Sequence, residues 1–383
     1  MAAFFLGSGI LVEWKRALFL FFFVILYLAL VLLGNVNLSS AVQNSRFVVL
    51  ESQQRQWSAV GILLALLGPF VLRRVPFVQM VPFAFVGVVG LLVLVLPFGE
   101  SIGGSTRWFS LPGFSLQPSE LAKPLMVFLL PLVFEKTTAR EVAHALNLLF
   151  TAIVAILVFL EPDLGTAIVF FVLFLVHFFL TAKNWKRLLL AFSLLVLCAV
   201  LLYSFALKPH QKDRLSAFFD PVANPETYYQ TRQSITMVGS GALVGRGYRQ
   251  GPGNLFGFLP ADHTDFVLAV FGEEFGFVGL CCFFGLWGIF LGLILRLALR
   301  ADAFFRQILA GIFALFFFQV FYNAAMVLGL VPVTGLPLPF FTYGGSSMVS
   351  NSFLVSVCIY CIGFGEAEAK SGKQARARTS VRG

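Results

Sequence analysis

The residues able to do chemistry fall in short polar blocks set between long apolar runs. The most pointed block is FLPADHTDF at 258–266. There His263 and Asp265 stand where a polar stretch gives way to an apolar run, and Glu273 and Glu274 follow inside that run. A carboxylate at the mouth of a membrane helix costs free energy, so Asp265 is a candidate functional residue. The bland alternative is a cap, because Thr264 or Asp265 would also suit the first turn of the following helix. Glu273 and Glu274 lie two turns deeper in apolar sequence and must be hydrogen-bonded or neutral there.

Other blocks carry complementary charge. Arg107 offers a planar fork for phosphate, and Trp108 beside it reads equally well as an interfacial anchor. Glu120 and Lys123 are three residues apart and share a helix face, either as an ion pair that fixes packing or as a cation for an anionic ligand with its orienting carboxylate. EPDLGTA at 161–167 adds Glu161 and Asp163, which would also favour the start of a helix. GSGALVGRG at 239–247 is glycine-dense enough to bring backbone N–H groups close to a ligand, with Arg246 adding charge. Gly344, Gly345, Ser346 and Ser347 open the last apolar run and suit close helix packing or the lining of a lipid-facing groove.

These blocks need a frame, and composition names it. The 383-residue chain is 59% hydrophobic and 12% charged, with mean hydropathy +0.90, far from the roughly 25% charge of a soluble domain. About ten runs are long enough to span a bilayer, near 16–33, 57–72, 76–97, 119–134, 142–160, 164–182, 187–206, 266–295, 304–330 and 344–364. The eighth and ninth exceed what a span needs, so tilt or an interfacial extension is expected. The expected fold is an all-α polytopic membrane protein. One membrane domain covers 1–364, with a long outward loop at 207–264 between helices seven and eight, and a basic, disordered cytoplasmic tail covers 365–383. Most of the 27 basic residues fall in the segments that face the cytoplasm when the amino terminus is inside, so both termini are expected there. The first run reads as an uncleaved signal anchor. The net charge of +9 thus reports topology rather than nucleic-acid binding, and the tail would touch membrane lipid. All five cysteines fall in apolar runs and read as packing residues.

Taken together, QPSELAK (117–123), EPDLGTA (161–167), GSGALVGRG (239–247), FLPADHTDF (258–266), GEEFGFVG (272–279) and TYGGSS (342–347) resemble the SEDS family of bacterial shape, elongation, division and sporulation proteins over nearly the whole chain. RLSAFFDP and MVGSG lean toward the RodA members rather than the FtsW division paralogues. The resemblance implies a peptidoglycan glycosyltransferase of the bacterial inner membrane, active in cell elongation and shape maintenance. Its implied substrates are lipid II and the undecaprenyl-linked glycan, and its implied partner is a class B penicillin-binding protein. It also implies Asp265 as the catalytic residue, acting as base or as ligand of an assisting Mg or Mn ion, although no cofactor is required by the sequence. Arg107, Lys123 and Arg246 would then neutralise pyrophosphate and Glu120 and Asp163 would orient them, with Trp108, His263 and Ser346 completing the substrate site. The chain departs from the family pattern at Pro260-Ala261-Asp262 and Tyr228-Tyr229-Gln230. A lipid II flippase and a non-catalytic scaffold for the penicillin-binding protein are the competing expectations.

Overall fold

The computed structural model describes residues 2–43, 48–102, 105–111, 114–182, 209–259 and 264–364, with isolated positions between 184 and 193. Most of the expected seventh span, the tail from 365, Cys198 and His263 lie outside the described residues.

The membrane framework is α1 (Ala2–Ala41), α2 (Val49–Arg74), α3 (Phe77–Phe98), α4 (Pro118–Lys136), α5 (Arg140–Leu160) and α6 (Leu164–Thr181), then α10 (Val267–Arg300), α11 (Ala303–Val327) and α12 (Gly345–Gly363). Eight of these helices are long and apolar enough to cross a membrane, and the ninth, α4, packs among α3, α5, α11 and α12. Because α4 is buried along most of its length, it needs no continuous lipid-facing surface and can carry Glu120, Lys123 and several prolines. The bundle's surface is the inverse of a soluble protein's, with Phe83 and Val86 on α3 80% and 71% exposed.

Close packing follows the small residues. On α2, side chains added at Gly61 and Gly68 would run into Ser352 and Ser356 of α12, so these glycines let the two backbones approach. Tyr27 of α1 joins them through a 2.9 Å hydrogen bond to Ser352. Away from the loops, a buried polar cluster ties α5 to α6: His144 Nε2 lies 3.0 Å from Thr181 Oγ1, and Asn147 Nδ2 lies 3.0 Å from His177 Nε2.

The segments read as loops are more ordered than their composition suggests. Residues after α3 form a three-stranded antiparallel sheet of β1 (Glu100–Ile102), β2 (Ser105–Leu111) and β3 (Phe114–Leu116). The long polar stretch contains α7 (Pro209–Phe219), α8 (Pro225–Ser240) and the short α9 (Pro252–Leu255). Proline opens each of these three helices at a position where its missing N–H costs nothing. We refer to this side of the bundle as the loop end.

The main departure from expectation is in α10. Gly276 sits inside it at φ 64° and ψ −165°, a conformation essentially reserved for glycine. The rings of Phe271 and Phe283 are 5.8 Å apart, and both pack on Phe341. A straight helix would separate them by about 18 Å, so the chain doubles back at Gly276. Contacts with α1 show the same reversal. Before the break, Asn37 meets Val267 and Ser40 meets Glu274, both ascending; beyond it, Phe23 stacks on Phe290 and Arg296 lies over Phe19, running opposed. Asp265 therefore lies deeper in the bundle than Glu273 and Glu274, the opposite of what an unbroken helix implies. The excess length of the eighth run is a fold-back rather than tilt.

The glycine-rich segment 239–247 makes that break tolerable. Arg246 N and Gly247 N donate to the Glu273 and Glu274 carbonyls at 2.9 and 3.0 Å, while Phe277 N and Val278 N donate to the Ala242 and Leu243 carbonyls at 2.9 and 3.0 Å. Groups orphaned by the broken helix are thereby satisfied in a place where water is scarce. These backbone groups are occupied by the protein and do not cradle a ligand.

Candidate active site

Asp265 is half-buried at the corner that leads into α10. The N-cap residue of α10 is Phe266, one position beyond Asp265. What is pinned is the backbone. Asn323 Nδ2 of α11 donates to the Asp265 carbonyl and to the Leu336 carbonyl, both at 3.0 Å. Thr342 Oγ1 donates to the Thr264 carbonyl at 3.3 Å. Neither Asn323 nor Thr342 stood out from the sequence, because a buried amide or hydroxyl acquires meaning only from what packs against it.

The carboxylate faces Gly335. A Cβ at Gly335 would stand 3.6 Å from Asp265 Oδ2 and 4.0 Å from Arg107 Nη1, so an atom in that place touches both groups. Gly335 has φ 75°, a conformation that favours glycine. It was also missed by sequence reading; its only signal was a glycine in the turn VTGLP.

Arg107 is held for that position. Its Nε donates to the Glu161 carbonyl at 3.1 Å and its Nη2 to the Pro162 carbonyl, while Nη1 lies 3.6 Å from Asp163 Oδ2. Asp163 is buried and caps α6, accepting from Thr166 N at 3.1 Å. Thus Asp163 orients Arg107 and starts the next helix, where either role alone was expected. Trp108 is half-buried on the same strand, and strand alternation sends it to the face opposite Arg107.

The other candidates divide. Lys123 Nζ lies 2.6 Å from Glu120 Oε1 with both side chains at most 1% exposed, a closed pair in which neither group makes a further hydrogen bond among the described residues. Removing one member would strand the other charge, at a cost of about 3–5 kcal/mol. Ser346 Oγ accepts from Gln117 N and donates to the Ser115 carbonyl, both at 3.1 Å, joining α12 to β3 and the start of α4. Arg246 has an exposed side chain and takes part in the helix break through its backbone. Glu273 accepts from Gly253 N, Asn254 N and Ser240 Oγ at 2.9, 3.3 and 3.3 Å. Glu274 accepts from Ser40 Oγ and from Asn254 Nδ2. These two acids clasp the long loop to α1, which gives both of them partners inside the bundle.

Glu161 is the strained member. It is fully buried, and its carboxyl has no hydrogen-bond partner among the described residues. Burial pushes that carboxyl from 4.5 up to about 9, the Asp163 charge adding to the rise and Arg107 opposing it. The folded protein therefore binds this proton over a window in which the unfolded chain has released it. Stability falls as pH rises from about 4.5 toward about 9. Glu161→Gln mimics the protonated form, so its melting temperature in detergent is expected to decline less than that of the unmodified protein between pH 6 and pH 9. Parallel declines would remove Glu161 as the cause.

For a divalent cation, the described residues contain no cluster of three His, Cys, Asp or Glu. Mg²⁺ is commonly held by one or two carboxylates together with substrate phosphates, and Asp265 is the carboxylate that fits such an arrangement.

Comparison with known proteins places the chain in a family. Residues 15–362 match the FtsW, RodA and SpoVE family, described as cell cycle proteins. The chain is 34% identical to the peptidoglycan glycosyltransferase MrdB of Escherichia coli, over 70% of this chain and 74% of that protein. It is 33% identical to a probable peptidoglycan glycosyltransferase FtsW of Trichlorobacter lovleyi, over 73% and 74%. Among solved structures, a chain of a peptidoglycan synthase complex that coordinates polymerization and crosslinking matches with TM-score 0.76 and 33% identity, over 89% of this chain and 97% of that one. The Thermus thermophilus rod shape determining protein RodA matches with TM-score 0.65 and 31% identity, over 90% and 95%. With a match along nearly its whole length, this chain belongs to the FtsW, RodA and SpoVE family, the SEDS proteins, as a RodA-like member.

Proposed function

We propose that the protein is a peptidoglycan glycosyltransferase that polymerises lipid II at the outer face of the bacterial cytoplasmic membrane during elongation, with both termini cytoplasmic. The observation that carries the reading is the Asp265 carboxylate and the Arg107 guanidinium meeting at the open α-carbon of Gly335. Both substrates are amphiphiles, so their reacting ends must meet just below a membrane surface, and the loop end of the bundle meets that requirement.

In this reading the GlcNAc 4-hydroxyl of the acceptor attacks the anomeric carbon of the donor muramyl sugar. Asp265 takes the hydroxyl proton as general base. The bond to undecaprenyl pyrophosphate breaks with inversion, and Arg107 stabilises the charge that grows on the departing phosphate oxygens. Asp163 keeps Arg107 aimed. Lys123 and Glu120, a closed pair, and Ser346, held by Gln117 and Ser115, act through the structure rather than on the substrate. A Mg or Mn ion held by Asp265 and the pyrophosphate would supply Lewis-acid stabilisation of the leaving group.

The proposed partner is a class B penicillin-binding protein, supported by the synthase complex that the fold matches. On α10, Gly285, Gly288 and Gly292 lie at helical spacing, and none of the described residues comes within 4 Å of a side chain added there, a surface on which a partner's membrane helix can approach closely.

The test is polymerisation of purified lipid II by the reconstituted chain, with and without that partner. Glycan ladders in either condition are expected. Transfer of lipid II across a liposome membrane with no chain growth would replace the enzyme reading with a flippase. Absence of both activities from folded protein would leave a scaffold. Gly288→Leu is expected to lose co-purification with the partner while remaining folded, and full retention would move the interface elsewhere.

A further inference from the structure

We infer that the cleft between α7, α8 and residues 331–333 is a saccharide subsite that holds the growing glycan beside Asp265, an inference that rests on the polymerase reading above. The cleft has a volume of about 200 Å³ and lies outside the spans, walled by Arg214, Glu226, Tyr228, Gln230 and Thr231. Its floor, Val331 to Val333, runs directly into Thr334 and Gly335. From Val333 to Gly335 the backbone reaches at most about 7 Å, so the floor of the cleft and the glycine that faces Asp265 belong to one short segment.

The floor is fixed rather than loose. Tyr322 of α11 donates to the Pro332 carbonyl at 3.2 Å, and Ser234 of α8 donates to the Val327 carbonyl at 2.8 Å. Gly329 lies against Thr231 and Ile235 of α8. One wall and the floor therefore move as a unit with the segment that faces Asp265.

The lining suits an N-acetylated sugar. A pyranose ring offers an apolar C–H face, for which Pro332 and the half-buried Tyr228 supply surface. Its rim offers hydroxyls and amides, which Gln230 can both donate to and accept from, as can the buried Thr231 hydroxyl. Arg214 and Glu226 stand exposed at the mouth. Arg214 suits the carboxylate of a muramyl substituent, whereas Glu226 opposes a second pyrophosphate. An acyl tail would leave all of these polar groups unpaired.

The experiment measures binding of a soluble tetrasaccharide of alternating N-acetylglucosamine and N-acetylmuramic acid to the full chain in detergent, by saturation-transfer NMR with titration. Tyr228→Ala combined with Gln230→Ala is expected to weaken binding about tenfold or more. The same variant is expected to make shorter glycans from lipid II. Tyr228→Phe, which keeps the ring, is expected to keep binding and length, separating contact from folding. Failure of the unmodified protein to bind the tetrasaccharide while it polymerises lipid II would overturn the subsite. So would unchanged binding and length in the double variant. Tetrasaccharide binding without polymerisation would uphold the subsite and overturn the polymerase reading instead.

Discussion

Asp265→Asn is expected to leave a folded protein that makes no detectable glycan from lipid II. The fold uses the Asp265 carbonyl, held by Asn323 at 3.0 Å, and the N-cap residue of α10 is Phe266. Asparagine preserves shape and removes the basic carboxylate. General-base catalysis contributes about 10²- to 10⁴-fold, so a loss of at least about 100-fold is expected. The melting temperature in detergent checks folding, and a gel of labelled glycan products checks activity. Substantial product from folded Asp265→Asn would move the base elsewhere and leave Arg107 and Gly335 as a binding site only. Chelation adds a second axis: a loss restored specifically by Mg or Mn would make Asp265 a cation ligand, while indifference to chelator would keep it as base.

The second large effect is expected far from the reacting atoms. Gly276→Ala forces a side chain into φ 64° and ψ −165°, and its Cβ would collide with the backbone of Val244 and Gly245. The strain of such a conformation alone is about 1–3 kcal/mol. The collision also threatens the four backbone hydrogen bonds that close the break between 242 and 278. Either the chain unfolds in part, or the half-helix that begins beside Asp265 straightens and carries the carboxylate away from Gly335. A drop in melting temperature together with near-complete loss of polymerisation is expected. Gly285→Ala is the matched control: it lies on the same helix, and its added Cβ meets nothing within 4 Å among the described residues. There alanine is expected to be neutral or to stabilise by up to about 1 kcal/mol. Equal damage at 276 and 285 would show that the helix tolerates no substitution and would remove the special role of the break.

What was legible in the chain follows the reach of local physics. Apolar runs announce spans because a backbone in lipid must satisfy itself within a helix, and the described helices fall where those runs fall. The spacing of Glu120 and Lys123 announces an ion pair because one helical turn brings such residues together, as the 2.6 Å contact shows. The need of Glu273 and Glu274 for partners could be stated from burial alone, though the identity of those partners could not. Ser346 and Arg246 looked equally able to meet a ligand, yet their given contacts are with other parts of the chain. A polar residue's type does not say which neighbour will claim it.

By itself, then, the sequence determined a many-spanning helical membrane protein with a polar loop end, a carboxylate at Asp265 worth testing, and a family likeness spread over six blocks. These are properties of composition, period and short spacing, which act within a turn or two of chain. Only the tertiary structure decided that α10 folds back at Gly276, that Asp265 lies deeper than Glu273 and Glu274, and that 239–247 closes the break instead of a ligand site. It alone brought Arg107, Gly335 and Asp265 together from β2, a loop and a helix corner. The physical reason is that depth and proximity depend on chain reversals. A single glycine in a conformation closed to other residues turns the direction of everything after it, and no hydropathy pattern records that turn.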